Sequence, residues 1–234
     1  MGLDQAKIVA NTKKYFETAT KHGFMNDELT NFLGEEFIKA PASTMTSYHY
    51  AFEGGLIEYL LRVAFYAVRI NNSLPEDERV DQASLLKVCL LHGIGKAKLY
   101  VPCESEWHRK NQGKMYKHNP NNPFTMVPDL SLWNLQHFGI QVTWNEYLGI
   151  RIHDGLYDDA NKPYYIARSA DAKMRNNLAL ILHHADHMAA RIEYEQWASG
   201  TSAISKPTVS KPKATVKADL PINASKLFND LFKD

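Results

Sequence analysis

The sequence has few cysteines, no long apolar run and almost no excess of charge of either sign. Only Cys89 and Cys103 are present among 234 residues, so a secreted fold held by disulfides is excluded. The 27 Lys and Arg against 26 Asp and Glu argue against nucleic-acid binding through bulk positive charge. The most apolar stretch, residues 56–70, carries Glu58 and Arg62 and is too short to cross a bilayer. We therefore expect a cytoplasmic protein without a membrane partner.

Apolar residues recur at helical spacing along most of the chain. Apolar residues of all kinds account for 44% of the chain, and aromatic residues for 11%, which is enough for a sizeable core. The spacing predicts helices over residues 4–20, 27–40, 56–71, 84–92, 131–138 and 176–197, and a capping box at 143–146 predicts another to about residue 153. Residues 101–128 are predicted to be irregular, and no strand pattern of useful length occurs. The fold class predicted is an all-α helical bundle over residues 1–198.

The composition changes near residue 199. Residues 199–220 are rich in Ser, Thr, Lys and Pro, which predicts a flexible linker. Residues 221–234 become apolar again, with Leu227, Phe228, Leu231 and Phe232 on one helical face. A short amphipathic tail on a tether suits docking into the groove of a protein partner. The alternative is that this tail folds back onto its own domain.

Histidines and aspartates stand at predicted helix ends and on the last helix. His92 ends one apolar helix, His153 with Asp154 ends the capped helix, and Asp186 lies beside His183 on the last helix. Helical proteins hold divalent metals with imidazole and carboxylate groups that several helices bring into one crevice. Such a metal can convert water to hydroxide and hold phosphate oxygens. A single histidine is more commonly structural, but their joint placement predicts a metal site at His92, His153 and Asp186.

Four segments, in this order, resemble the HD-domain (His-Asp) phosphohydrolase superfamily. They are HYAFEGGLIEY at 49–59, LLHGIGK at 90–96, HDG at 153–155 and LHHAD at 182–186. The resemblance covers about residues 49–193, most of the predicted helical domain. It implies an HD-domain-like helical bundle, whose active members hydrolyse phosphate esters of nucleotides with one or two metal ions.

Two positions depart from the pattern of that superfamily. Its first metal histidine falls on Tyr59, and the aspartate of its His-Asp pair falls on Gly93. His92 and Asp186 match metal-ligand positions of the superfamily, and His153 matches a third such position less closely. We therefore expect a divalent metal (Mn, Fe, Mg or Zn) to be held weakly or not at all. Three residues are candidates to replace the missing ligands: His49, Asp154 and His183.

Lys96 and the basic loop that follows it are predicted to bind phosphate. Lys96 keeps its place in the Gly-Ile-Gly-Lys segment, so the resemblance makes it the phosphate-binding and, in an active protein, the catalytic residue. The alternative is a solvated lysine after a helix end. Arg109, Lys110 and Lys114 alternate with aromatic residues in a loop that can stack on a base and contact phosphate. Because this loop directly follows Lys96, we expect it to cover a nucleotide pocket rather than a nucleic-acid groove. The alternative to ligand binding is that the loop is an exposed lid with solvated charges.

The tail carries a second resemblance. Residues 223–232 are similar to the C-terminal peptides by which tailed-phage DNA polymerases and late-transcription factors bind a sliding clamp. This implies a sliding clamp or a polymerase-associated protein as the partner. Two functions follow as hypotheses. One is a non-catalytic or weakly active nucleotide- or phosphate-binding accessory factor in replication or transcription; the alternative is a metal-dependent nucleotide phosphohydrolase with a rearranged His/Asp site.

Overall fold

The computed structural model describes residues 2–48, 50–167, 169, 171 and 173–200. Within them the protein is largely helical, which confirms the all-α prediction. The helices are α1 (Gln5–Lys21), α2 (Asp27–Lys39), α3 (Gly55–Ser73), α4 (Gln82–Leu91), α5 (Glu106–Gln112), α6 (Val127–His137), α7 (Trp144–Ile152), α8 (Lys162–Ile166) and α9 (Leu178–Ser199). Two short strands, β1 (Tyr100–Pro102) and β2 (Tyr116–His118), form an antiparallel pair.

Some predictions fall on residues that the structure does not describe. His49 and residues 201–234, which include nearly all of the predicted linker and the whole tail, lie outside the described residues. Among the described residues, no helix has the length and apolar character needed to cross a bilayer.

Local sequence sets most of the helix starts. The side chains of Asp4, Asn26 and Asp81 each accept a hydrogen bond from the backbone two or three residues into the following helix. The predicted capping box is confirmed: Thr143 Oγ1 accepts from Glu146 N at 3.2 Å, and Glu146 Oε2 accepts from Thr143 N at 2.8 Å. Each such cap stabilises a helix by about 1 kcal/mol.

The segment predicted to be irregular contains regular structure. Residues 100–118, which we call the flap, hold β1, α5 and β2, with Val101 paired to Lys117. The prediction was wrong here because each strand has only three residues, too few to show an alternating pattern. Backbone bonds from Met115 N to Thr44 O and from Thr46 N to Gly113 O, both 2.9 Å, attach the flap to the loop before α3.

Helix α3 lies at the centre of the core and packs against α1, α2, α4 and α9. Its side chains at Leu56, Leu60, Val63 and Ala67 are completely buried. These positions recur at three- and four-residue intervals, so they form the apolar stripe expected of a core-facing helix. The predicted 56–71 pattern therefore identified the central helix correctly.

Two tyrosine–carboxylate pairs join α3 to α9. Tyr59 donates its hydroxyl proton to Asp186 Oδ1 at 2.5 Å, and Tyr66 donates to Glu193 Oε1 at 3.3 Å. The second pair lies seven residues further along both helices, so α3 and α9 run in the same direction. Seven residues correspond to about 10.5 Å of helix. The two pairs together define the register of α9 on α3.

Two buried carboxylates are partnered beside the second pair. Arg62 Nε lies 3.1 Å from Glu58 Oε1, and Arg62 Nη1 lies 3.8 Å from Glu193 Oε1. Asn11 of α1 donates to Glu58 Oε2 at 2.5 Å. A buried carboxylate is tolerated only when it is paired and hydrogen-bonded. This network therefore fixes how α1, α3 and α9 meet.

Candidate metal and phosphate site

Three predicted metal ligands come together where α4, α7 and α9 meet. His92 follows the last residue of α4, His153 follows the last residue of α7, and Asp186 lies within α9. One ligand atom from each of the three lies within 4.8 Å of the others. The histidines are 1% and 4% exposed, while the Asp186 side chain is 18% exposed. The cluster is thus buried on the histidine side and reachable at the carboxylate.

The backbone orients both histidines in the same way. His92 Nδ1 lies 2.9 Å from the carbonyl oxygen of Cys89, and His153 Nδ1 lies 2.8 Å from that of Ile150. Since a carbonyl can only accept, each Nδ1 carries a proton and donates it. Each Nε2 of a neutral ring then presents a lone pair, as is usual for histidines that bind metals.

The contact between His92 and Asp186 needs a positive charge. His92 Nε2 lies 3.2 Å from Asp186 Oδ1. If the ring is neutral, both atoms are acceptors and repel each other, so either a proton or a metal cation belongs between them. Burial, and then the charge of His92, lower the pKa of His153, which therefore stays neutral and able to ligate. Two imidazoles and a carboxylate suit Mn²⁺, Fe²⁺ or Zn²⁺ better than Mg²⁺, which prefers oxygen ligands.

Tyr59 occupies one oxygen of the carboxylate in the cluster. Its side chain is 8% exposed and its hydroxyl donates to Asp186 Oδ1. Burial, followed by the charge of Asp186, raises the pKa of Tyr59 well above its usual value, so the phenol stays protonated. Burial also acts to raise the pKa of Asp186, but the His92 hydrogen bond, the two neighbouring imidazoles and the Tyr59 hydrogen bond outweigh it, and the pKa falls below its usual value. Asp186 is therefore an ionised carboxylate that already has a protein donor.

Gly93 faces the apolar side of α3. A Cβ atom at Gly93 would lie 3.0 Å from Leu60 Cδ2 and 3.6 Å from Leu56 Cδ1. Leucines thus surround the position at which the resembled superfamily has an aspartate. Restoring that aspartate would bring a carboxylate against hydrocarbon, which is costly without a partner.

Two of the three candidates for replacing the missing ligands, Asp154 and His183, are described by the structure and lie outside the cluster. His183 donates from Nδ1 to the His153 carbonyl at 2.8 Å, and its ring lies against Gly155. Gly155 has a φ of +58°, and a Cβ there would overlap the His183 ring. His183 therefore holds the end of α7 in place. Asp154 Oδ1 lies 3.6 Å from His153 Nε2.

Lys96 lines a cavity of about 310 Å³ that adjoins the cluster. Its Nζ lies 5.4 Å from the centre of the Tyr59 ring, a distance suited to a cation–π contact. Burial lowers the pKa of Lys96, and the charges of Asp186 and Asp154 offset this only in part. An anion in the cavity would compensate the buried ammonium. Tyr59 joins the two features, because it lines the cavity and bonds to Asp186.

The other predicted phosphate-binding residues lie apart from Lys96. Arg109, Lys110 and Lys114 belong to the flap and do not line the 310 Å³ cavity. Arg109 and Lys110 are exposed on α5, where Lys110 Nζ pairs with Glu106 Oε1 at 2.5 Å, and Lys114 is half-buried. The flap instead supplies Tyr100 and the exposed His118 to the cavity wall. Phosphate contact by the three cations stays a prediction.

Two contributions to the site could not be found in the sequence. Buried Ser131 of α6 donates to the carbonyl oxygen of His92 at 2.6 Å and accepts from Gly95 N at 2.9 Å. It thereby ties the turn that carries Lys96 to α6. Tyr50, in the loop before α3, and Tyr100, in β1, line the cavity from separate segments. Neither contribution has a spacing signal, because the partners are far apart in the chain.

No protein-family model, curated protein or solved structure was found to match this chain. The resemblances to HD-domain phosphohydrolases and to clamp-binding peptides therefore stay predictions from the sequence, and the geometry of the His92, His153 and Asp186 cluster is the main guide to function.

Proposed function

We propose that this protein is a nucleotide- or phosphate-binding accessory factor with a weakly held divalent metal at His92, His153 and Asp186. The observation that carries this proposal is the 3.2 Å contact between His92 Nε2 and Asp186 Oδ1. Either a proton on His92 or a metal cation resolves this contact, and of the two only a divalent metal also engages His153. When bound, the metal supplies positive charge that attracts phosphate oxygens.

The number of ligands argues for weak binding and little or no catalysis. Among the described residues, three side chains form the cluster, and Tyr59 and Gly93 supply no metal ligand as they stand. A metal would also compete with Tyr59 for Asp186 Oδ1. Metal affinity falls when a ligand is missing or already engaged.

Phosphate recognition is assigned to Lys96. Its ammonium lies beside the Tyr59 ring in the 310 Å³ cavity, and among the described residues that line this cavity only Lys96 and His118 are basic. Exposed Tyr48 and half-buried Tyr100 in its wall can contact a nucleotide base by stacking. The cavity therefore favours a nucleotide with one phosphate group at Lys96.

The C-terminal tail is proposed to bind a protein partner. This rests on the sequence alone, because Leu227, Phe228, Leu231 and Phe232 lie outside the described residues. A sliding clamp or a polymerase-associated protein is the proposed partner, which would bring the nucleotide-binding domain to a replication or transcription complex. Contact with nucleic acid would then be indirect.

Metal content and titration test the metal proposal. Elemental mass spectrometry of the full chain, purified without chelators, is expected to show substoichiometric Mn, Fe or Zn, and calorimetry is expected to show binding of added Mn²⁺. His153→Ala should abolish that binding. His184→Ala is the matched control, since His184 is exposed on α9 and outside the cluster. Equal Mn²⁺ binding by the wild type and His153→Ala would contradict the proposal.

The second candidate is a metal-dependent nucleotide phosphohydrolase with a rearranged site. It is favoured by Asp154, whose Oδ1 lies 3.6 Å from His153 Nε2 and is placed to become a fourth ligand after a small movement. This function requires Mn²⁺-dependent release of phosphate from nucleotides by the wild type and its loss in both His153→Ala and Asp154→Asn. Nucleotide binding without turnover would support the accessory factor instead.

A further inference from the structure

A second cavity, which we call the α6 cavity, lies between α2, α6 and the turn that carries Lys96. Its volume is about 570 Å³, within the usual range for small-molecule sites. It shares no lining residue with the 310 Å³ cavity. Its wall is mainly apolar and includes Phe32, Ile94, Pro123, Leu130, Trp133 and Asn134.

Asn134 is an unpartnered polar group in this apolar wall. The residue is 4% exposed, and its side-chain oxygen has no hydrogen-bond partner. Buried polar atoms are almost always paired, so an orphaned amide oxygen calls for a donor that the chain itself does not supply. The amide group turns easily about its last side-chain bond, which lets the oxygen and the NH₂ group meet a molecule in the cavity.

Two aromatic rings favour a flat occupant. Trp133 lines the cavity, yet its side chain is 53% exposed and is stacked on His137, with ring centres 4.7 Å apart and planes at 10°. Phe32 contributes a second ring from α2. Aromatic walls of this kind bind planar rings by stacking, and the energy gained does not require a charge.

The charges around the α6 cavity are already paired. Lys98 Nζ lies 3.0 Å from Glu36 Oε2 and 4.2 Å from the centre of the Phe32 ring. Asp129 Oδ1 lies 3.0 Å from Arg151 Nε. Among the described residues that line this cavity, Lys98 is therefore already paired, and the carboxylate of Asp129 would repel a phosphate group. A neutral occupant fits this rim.

The unpaired oxygen of Asn134 distinguishes between two kinds of occupant, an apolar peptide side chain and a heteroaromatic ring. Leucine and phenylalanine side chains, such as those of the C-terminal tail, carry no donor, so a peptide could reach the amide oxygen only with a backbone N–H. A heteroaromatic ring with an amino group beside a ring nitrogen pairs with both ends of the amide. Asparagine recognises adenine in this two-bond manner, through the exocyclic amine and the adjacent ring nitrogen.

We propose that the α6 cavity binds a neutral adenine-type ring, stacked on Trp133 and held by two hydrogen bonds to Asn134. The free base or its nucleoside is the ligand class, and the phosphorylated form binds less well. This site does not depend on the metal cluster or on phosphate binding at Lys96.

Calorimetry of the full-length protein with adenosine and inosine tests the proposal. Inosine carries an oxygen in place of the exocyclic amine, so it cannot donate to Asn134. Adenosine is expected to bind with a Kd below about 1 mM, and inosine at least about tenfold more weakly. No heat with adenosine, or equal affinity for the two nucleosides, would overturn the proposal.

Variants locate the binding to this cavity. Asn134→Leu is expected to abolish the preference for adenosine over inosine. Trp133→Ala is expected to lower the affinity for both nucleosides. Trp144→Ala, at an exposed tryptophan on α7 outside both cavities, should leave adenosine affinity unchanged. Circular dichroism checks that each variant folds. Wild-type discrimination retained by Asn134→Leu would place the ligand elsewhere and refute the assignment.

Discussion

Replacing Tyr59 by histidine is expected to tighten Mn²⁺ binding. In the wild type the Tyr59 hydroxyl donates to Asp186 Oδ1 at 2.5 Å, and burial raises its pKa, so that without a metal it keeps its proton. An imidazole at this position removes the competing donor and brings a fourth ligand beside His92, His153 and Asp186. Four protein ligands hold a transition metal much better than three.

The magnitudes follow from the contact that is lost and the ligand that is gained. Loss of a hydrogen bond to a charged group costs about 2 kcal/mol, so the metal-free variant should unfold at a lower temperature. For a chain of this size about 2 kcal/mol corresponds to about 4–8 °C. A further ligand is expected to improve the Mn²⁺ affinity at least about tenfold, or about 1.4 kcal/mol. Added Mn²⁺ at about a hundred times Kd would restore about 2.7 kcal/mol of stability.

Tyr59→Phe is the matched control, since it removes the same hydroxyl and adds no ligand. Mn²⁺ titrations by calorimetry, with thermal melts with and without Mn²⁺, compare the wild type, Tyr59→His and Tyr59→Phe. Tyr59→His should bind Mn²⁺ most tightly and show the largest metal-dependent rise in melting temperature. If Tyr59→Phe gains as much affinity, the effect comes from releasing Asp186 and the ligand argument fails. If no variant binds Mn²⁺, the cluster is not a metal site.

Three further predictions concern the rest of the site and the tail. Gly93→Asp should lower the free energy of unfolding by about 3 kcal/mol, since it buries a carboxylate among leucines. Urea titration measures this free energy, and the control Gly93→Ala should lower it by less. Lys96→Met should abolish phosphate binding yet raise the melting temperature. Burial lowers the folded-state pKa of this lysine, so its charge at neutral pH disfavours folding. A lower melting temperature would show instead that the charged lysine stabilises the fold. Leu231→Ala with Phe232→Ala should abolish capture by an immobilised sliding clamp and leave the melting temperature unchanged; a marked loss of stability would mean that the tail packs on its own domain.

Much of the helical architecture could be predicted because its signals are local. The apolar stripe of α3 and the capping box of α7 lie within single segments, and both appear in the structure where the pattern places them. His92 and His153 could be selected for the same reason, since each ends an apolar helix before a glycine. Helix α6 begins earlier than its apolar pattern, with Pro128 in its first turn.

The remaining features depend on contacts between distant segments. Tyr59 and Asp186 are 127 residues apart, and Ser131 lies 39 residues from His92. The strands of the flap are stabilised by pairing with each other and are attached to the loop before α3, and neither contact is visible in a three-residue pattern. The unpaired amide of Asn134 is a property of packing alone. Sequence periodicity carries no information about any of these pairings.

Because the two tyrosine–carboxylate pairs have the same spacing on both helices, the pair that is distant from the site also affects the position of Asp186. Tyr66 and Glu193 lie about 10.5 Å along the helices from Tyr59 and Asp186, and neither belongs to the cluster or lines its cavity. A slip of α9 by one turn would break both pairs together and carry Asp186 about 5.4 Å away from the two histidines. Substitutions at Tyr66 or Glu193 would consequently be energetically coupled to substitutions at Asp186, although the residues are not in contact.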